Sequence, residues 1–540
     1  MKRRTVVLGI GATAGAAAVG GIAYSAQADD STTSPSGGTA ATGSLVFDPE
    51  GYTKLTTTVT DTEGAEHAVT YHFWKAITYV AKPVDATYQS LNVSVPVEID
   101  GVAVDAKNAP ILFANSIGGY MPSSVADATG VGGGGMTPGG GGGAPSGAPT
   151  ASPSSATSTA PGANGNTNAT GGALASNQLL ALAAGFVIVE PGARGRTLKN
   201  SAGEYYGVAP AAIVDLKAAV RYVRANKGRI PGNTDRIVSA GTSAGGALSA
   251  LLGASGDSPL YAKLLKDLGA ADASDAIFAT GAWCPITDLE HADGAYEWNW
   301  GDSATSSGAK VDQALSKELR GQFAEYQASL KLKGLGGFGN LNARNYDEYL
   351  VRQYLEPSAT AHLAALTDSA RTTYLAANTF ITWKNGKASF SWADFLTHVG
   401  ARKKPVPSFD AFDLSTGENN LFGKGTTIAR HFTAFGAKND TTGLSSKRVA
   451  SDLPETLRLM NPMTFLTGKA NPGRTRHWWI RLGTKDSDTS HTVSANLAAA
   501  ANGLGDEVSH KYYWDEGHGA NTDPGDFIAW IAKISGHKAR

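Results

Sequence analysis

Apolar and polar side chains alternate along residues 54–71 and again along 88–97. Alternation puts one face of each stretch against a core, so both predict β-strands. Pro110-Ile111-Leu112-Phe113-Ala114-Asn115 is apolar almost throughout, the pattern of a strand covered on both faces. Beyond residue 176, helices and strands take turns. Residues 177–184 predict a helix, and Gly185-Phe186-Val187-Ile188-Val189 predicts a buried strand. Residues 210–226 carry Ile213, Leu216, Val220 and Val223 on one helical stripe. Asp235-Arg236-Ile237-Val238-Ser239-Ala240 is the next strand, and a glycine-rich turn leads from it into a helix at 247–253. The rhythm returns near the end of the chain with a strand at 477–482, a helix at 493–501, a strand at 508–514 and a helix at 524–534. Strands alternating with helices in this way predict an α/β architecture with a doubly wound, mostly parallel sheet.

Two stretches break the rhythm. Residues 127–175 hold glycine runs at 132–135 and 139–143 and then a Pro/Ser/Ala/Thr tract. So little apolar surface cannot offset the entropy of ordering, and a flexible insertion is expected. Its length is tolerable because loop closure costs grow only logarithmically. Residues 291–453 are helical and aromatic-rich, with Trp298, Trp300, Trp383 and Trp392, and carry no buried parallel-strand pattern. They are expected to form a helical lid domain that divides the core into residues 44–290 and 454–540.

The N-terminus changes the picture of location. Lys2, Arg3 and Arg4 precede a Gly/Ala-rich apolar stretch, and Ala26-Gln27-Ala28 follows as a small-residue cleavage pattern. Residues 1–28 resemble a twin-arginine signal, although Val6 and Val7 stand where a Phe-Leu pair is common. An extracellular, secreted protein is expected, with an uncleaved membrane anchor as the alternative. Residues 29–43 read as a polar, disordered spacer.

Charge and composition exclude several partners. The chain has 46 basic and 47 acidic residues and a formal net charge of −1, so no nucleic acid partner is expected. No second run is apolar enough to suggest membrane insertion. The one cysteine, Cys284, allows no intrachain disulfide, and it reads as a small buried apolar side chain. No H-E-x-x-H, clustered cysteines or dinucleotide fingerprint in a strand–helix setting occurs, so neither a metal nor an organic cofactor is expected. Oligomeric state has no signature in the sequence.

The chemistry gathers around Gly241-Thr242-Ser243-Ala244-Gly245. This is the G-x-S-x-G pattern in which a serine sits on a tight strand-to-helix turn, with small neighbours and a helix N-terminus behind it. A buried strand leads in and a small-residue helix leads out. The base should lie C-terminal to the serine. Of the 11 histidines, His518 fits best, in the loop Asp515-Glu516-Gly517-His518-Gly519 between the last strand and last helix. His510 falls inside a strand, and His477 and His491 precede it. The acid should follow the strand at 477–482. Asp486 and Asp488 compete there, and Asp486 is nearer the strand end. Asp515 and Asp523 are read as turn and cap residues. Ser243, Asp486 and His518 thus form the expected triad of an α/β-hydrolase fold. The oxyanion donors are expected to be the N–H of Ala244 and that of Ile117 or Gly118, in Asn115-Ser116-Ile117-Gly118-Gly119-Tyr120.

From about residue 78 onward the chain resembles bacterial tannases, which are related to feruloyl esterases. The resemblance is carried by Ala81-Lys82-Pro83-Val84-Asp85, Asn115 to Tyr120, Pro191-Gly192-Ala193-Arg194-Gly195-Arg196 and residues 241–252. It continues through Cys284-Pro285-Ile286-Thr287-Asp288-Leu289, residues 409–417 and 485–489, and Glu516-Gly517-His518. It implies a lid over the site, a triad matching Ser243, Asp486 and His518, and a clamp on the ring hydroxyls of a galloyl ester. The matching clamp positions are Lys404, Glu418 and Asp488, with Lys403 as an alternative to Lys404. The insertion at 127–175 departs from the family pattern. The expected substrate is a small phenolic ester; a feruloyl or general carboxylesterase and a non-enzymatic ligand-binding surface protein are the alternatives.

Overall fold

The computed structural model describes residues 44–136 and 176–538. The signal and spacer expected at 1–43, and most of the insertion expected at 127–175, lie outside the described residues.

Ten strands form one sheet: β1 (Thr53–Thr60), β2 (Glu66–Thr78), β3 (Ser90–Ile99), β4 (Val102–Ala103), β5 (Ile111–Ala114), β6 (Val187–Pro191), β7 (Ile237–Thr242), β8 (Ala279–Trp283), β9 (His477–Gly483) and β10 (Glu507–Tyr513). The order is β1-β2-β3-β6-β5-β7-β8-β9-β10, with β4 attached to β3. The first three strands and the β3–β6 pair are antiparallel. From β6 to β10 every pair is parallel. The register aligns Ala114 with Ala240, Trp283 with Thr242 and Arg481, and Gly483 with Tyr513. The carboxyl ends of the parallel strands therefore share one edge, where open α/β sheets place their ligands.

Helices α1 (Asn177–Ala183), α2 (Ala211–Ala225), α3 (Ala244–Ala254), α8 (His491–Gly503) and α9 (Pro524–Ser535) belong to the alternating part. Along α2 the stripe Ile213, Leu216, Val220 and Val223 is fully buried. Asp215 lies on the same helix and is also buried. Its carboxylate accepts from Arg194 Nε at 2.9 Å and Arg194 Nη2 at 2.8 Å, which anchors the segment after β6. β6 carries a buried carboxylate too. Glu190 is met by the Gly132 N–H at 3.1 Å, and burial pushes its pKa up to about 7.

β8 is the parallel strand missed in the sequence. Ala-Thr-Gly-Ala-Trp has few large apolar side chains, yet all five residues are buried. A Cβ on Gly281 would stand 2.9 Å from the Phe527 ring, so small residues here let α9 pack closely on the sheet.

Between β8 and β9 the chain forms α4 (Leu289–Trp300), α5 (Asp368–Ala377), α6 (Trp392–Val399) and α7 (Gly417–Leu421), among other helices. Its two hairpins, Lys333–Gly334 with Gly339–Asn340 and Thr382–Lys384 with Lys387–Ser389, stand apart from the main sheet. Tyr296, Trp300, Tyr346, Phe395 and Phe409 from this segment join one buried cluster with Leu112, Val189 and Leu251 of the sheet layer. Among the described residues no helix is long and apolar enough to cross a membrane.

Candidate active site

Ser243 occupies the turn between β7 and α3 with φ 60° and ψ −122°, a conformation non-glycine residues rarely adopt. Neighbouring backbone forces the two motif glycines. A Cβ on Gly241 would lie 2.4 Å from the Gly245 carbonyl oxygen, and one on Gly245 would lie 2.6 Å from Asn115 Oδ1 and 2.7 Å from the Ile117 carbonyl oxygen. The Ser243 N–H donates to the Trp283 carbonyl at 3.0 Å, so the end of β8 braces the turn. Asn115 Nδ2 donates to the carbonyls of Ala240 and Gly245 at 3.1 and 3.2 Å, and lies 3.0 Å from Ser249 Oγ.

The loops after β9 and β10 bring the other two groups. The Ser243 hydroxyl donates to His518 Nε2 at 2.8 Å, and His518 Nδ1 donates to Asp486 Oδ2 at 2.9 Å. Asp488 Oδ2 is 3.9 Å from the same Nδ1. Its N–H donates to Asp486 Oδ1 at 2.9 Å. Of the two competing acids, Asp486 is thus the one hydrogen-bonded to the ring. The close approach of the two loops depends on Gly483, where a Cβ would meet the Glu516 and Gly517 carbonyl oxygens at 2.3 and 2.4 Å. Burial disfavours charge on the His518 ring, but the Cys284 and Asp486 side chains outweigh it and raise its pKa above the ordinary histidine value.

Two backbone donors face no partner. Among the described residues neither the Gly118 N–H nor the Ala244 N–H has a hydrogen-bond acceptor. The Ile117 N–H points to Asn115 Oδ1 at 3.4 Å. Arg196 Nε donates to the Gly119 carbonyl at 2.8 Å and supports this loop from outside.

The remaining expected residues are only partly brought together. Lys403, not Lys404, pairs with Asp488, at 2.7 Å. Lys404 Nζ lies 3.7 Å from the centroid of the Phe409 ring. Glu418 stands in the first turn of α7. Its charge acts on Tyr120, whose pKa burial already raises, and on Arg196. No hydrogen bond or ion pair among the described residues joins Glu418 to the two lysines or to Asp488.

Sequence reasoning missed the supports. The Tyr296 hydroxyl donates to the Ser487 carbonyl at 2.8 Å and accepts the Lys404 N–H at 3.1 Å, so α4 ties the lysine segment to the acid loop. Buried Arg402 pairs with Glu297 and donates to the Lys404 and Pro405 carbonyls at 2.8 and 2.9 Å. Asp515 is more than a turn residue. At φ 61° its carboxylate accepts from His398 Nε2 at 2.6 Å, Lys485 Nζ at 3.0 Å and the Tyr374 hydroxyl. Asp523 likewise makes no side-chain cap bond and pairs with Arg481 at 3.0 Å and with the Tyr513 hydroxyl. Both depend on partners distant in sequence, which local patterns do not reveal.

A mixed sheet, parallel from β6 to β10 and wrapped by helices, with a serine on a strand–helix turn at the carboxyl edge of its parallel strands, defines an α/β-hydrolase. The family model BD-FAE matches residues 165–326. A tannin acyl hydrolase in complex with ethyl gallate is 34% identical, with a TM-score of 0.73, over 91% of this chain and 99% of that one. The native tannin acyl hydrolase of Lactobacillus plantarum is 33% identical over the same shares, also at 0.73. Fusobacterium nucleatum tannase is 32% identical over 91% of this chain and 99% of that one, at 0.73. The chain belongs to the tannase family of ester hydrolases. No curated protein matches it.

Proposed function

We propose that this protein hydrolyses galloyl esters through an acyl-enzyme, with Ser243 as nucleophile. The observation that carries the reading is the unbroken chain from Ser243 Oγ to His518 Nε2 to Asp486, at 2.8 and 2.9 Å. His518 takes the serine proton as the ester carbonyl is attacked, then returns it to the leaving alcohol. Asp486 holds the ring in the tautomer with Nδ1 protonated and stabilises its cation. The Gly118 and Ala244 N–H groups receive the oxyanion, and neither donates to a protein acceptor among the described residues. Water then cleaves the acyl-enzyme by the same route.

The acyl group follows from family membership and from charge placement. The relative bound to ethyl gallate carries this ligand class on the same fold, and another is bound to 3,4-dihydroxybenzoate. Asp488 with its lysine partner, and Glu418 from α7, are the groups for ring hydroxyls in this reading. The segment 291–453 acts as the cover that supplies the lysine and Glu418, and residues 1–28 direct export by the twin-arginine route.

The experiment compares kcat/KM for propyl gallate, propyl benzoate and a ferulate ester. Polar groups in the site left without partners cost roughly 1–3 kcal/mol each. Gallate should therefore be cleaved far faster than benzoate, and ferulate, with one hydroxyl methylated, should fall well below gallate. Equal rates on gallate and benzoate would overturn the galloyl reading and leave a general esterase.

A further inference from the structure

Cys284 follows β8 at φ 38°, held by its N–H donating to the Arg481 carbonyl at 2.7 Å. Its buried thiol lies 3.9 Å from His518 Nε2, the nitrogen that faces Ser243. Ester hydrolysis uses no thiol at that place. The spacing has its own chemical meaning. With Zn–S near 2.3 Å and Zn–N near 2.0–2.1 Å, two tetrahedral ligands of one ion stand about 3.6 Å apart. A closure of a few tenths of an ångström would bring Sγ and Nε2 onto a single cation. Metal-bound histidines also need a partner on the other ring nitrogen, usually a carboxylate. Asp486 already fills that role on Nδ1 at 2.9 Å. Among the described residues, Cys284, Asp486 and His518 are the one group of such donors close enough together to share an ion. The hydrogen bond to Nδ1 places Asp486 behind the ring rather than on the metal.

We propose that Cys284 Sγ and His518 Nε2 form an inhibitory site for a thiophilic divalent cation of the zinc class. Binding breaks the S–H bond and releases its proton to solvent, with no change of oxidation state. The ion occupies the Nε2 lone pair that otherwise accepts the Ser243 proton, and water fills its remaining positions. Its effect on turnover rests on the proposed role of His518; the binding itself does not.

The test uses the full chain, Cys284→Ser, Cys284→Ala and His518→Ala. Zn2+ is titrated during hydrolysis of a short aliphatic ester, and Co2+ serves as a spectroscopic probe. Cys284 is the chain's one cysteine, so a thiolate-to-Co2+ charge-transfer band reports this site alone. The wild type should be inhibited by Zn2+ and recover with a chelator. Measured against its own uninhibited rate, each cysteine variant should need about 100-fold more Zn2+ or beyond, at the upper end of what weakened metal shells lose. The Co2+ band should appear in the wild type, vanish in both cysteine variants and weaken in His518→Ala. Absence of the band, or equal Zn2+ sensitivity in the wild type and both cysteine variants, overturns the proposal. Should the chain fail to cleave the ester at all, the band decides by its presence or absence.

Discussion

Ser243 carries the strain of the site, and its neighbours explain why the strain persists. The turn is closed by backbone contacts at Gly241 and Gly245 and braced by the Trp283 carbonyl. Replacing the side chain alone should leave that geometry intact. Ser243→Ala is expected to fold normally and to lose about four to six orders of magnitude in kcat on any ester. Circular dichroism and a gallate assay check this, and near-wild-type hydrolysis by the folded variant would remove the serine from its role. The two acids separate by distance to one nitrogen, 2.9 Å for Asp486 and 3.9 Å for Asp488. Asp486→Asn should lower kcat about 10^4-fold on gallate and aliphatic esters alike, since the ring loses its tautomer and cation support. Asp488→Asn should mainly slow gallate. Exchanged phenotypes would show that the acids are assigned the wrong way round.

At the scale of elements, the site is a meeting of loops held from behind. The loop that carries His518 is fastened through Asp515 to His398 on α6, to the Tyr374 hydroxyl on α5 and to Lys485 in the acid loop. Burial disfavours charge on Asp515, and these donors outweigh it, holding its pKa far below the usual carboxylate range. Asn tolerates the same left-handed backbone. Asp515→Asn therefore removes the charge without disturbing the turn. It should lower kcat roughly 10- to 100-fold through misplacement of the imidazole, with KM little changed. Asp515→Glu should restore part of the loss. A kcat equal to wild type in Asp515→Asn would show that the clamp does not position His518. Gly483→Ala tests the contact between the two loops. Its Cβ would meet the Glu516 carbonyl oxygen at 2.3 Å. A loss of about 1–3 kcal/mol in denaturant unfolding is expected, and unchanged stability would mean the loops can part without cost.

Across the whole molecule, one continuous core joins the sheet to the segment between β8 and β9. Ion pairs inside that segment make its stability depend on pH. His431 is buried, with Nδ1 2.7 Å from Asp410 and Nε2 3.1 Å from Asp440. Burial opposes a charged ring, but the two carboxylates outweigh it and raise its pKa above 6.5. The folded state therefore holds this proton more tightly than the unfolded state. The stabilisation is fully present below 6.5 and is lost as pH rises through the folded value. The difference in Tm between wild type and His431→Gln should be largest in mild acid and shrink toward alkaline pH. A difference that grows with pH would contradict the assignment of a charged His431.

Sequence alone determined the elements whose periodicity is strong and local, such as the apolar run of β5, the stripe of α2 and the final helix. It also determined the serine turn, because the G-x-S-x-G pattern at 241–245 follows an apolar strand and leads into a small-residue helix. Candidates for base and acid were legible from their places after β10 and β9. Tertiary structure alone decided that Asp486 rather than Asp488 bonds to the ring, that Lys403 rather than Lys404 reaches Asp488, and that Asp515 gathers donors from α5 and α6. It also set the buried Cys284 thiol 3.9 Å from His518 Nε2. The physical reason is the same in each case. Backbone conformation and burial follow from neighbours along the chain, whereas a hydrogen bond between side chains far apart in sequence exists only once the sheet has aligned its strand ends.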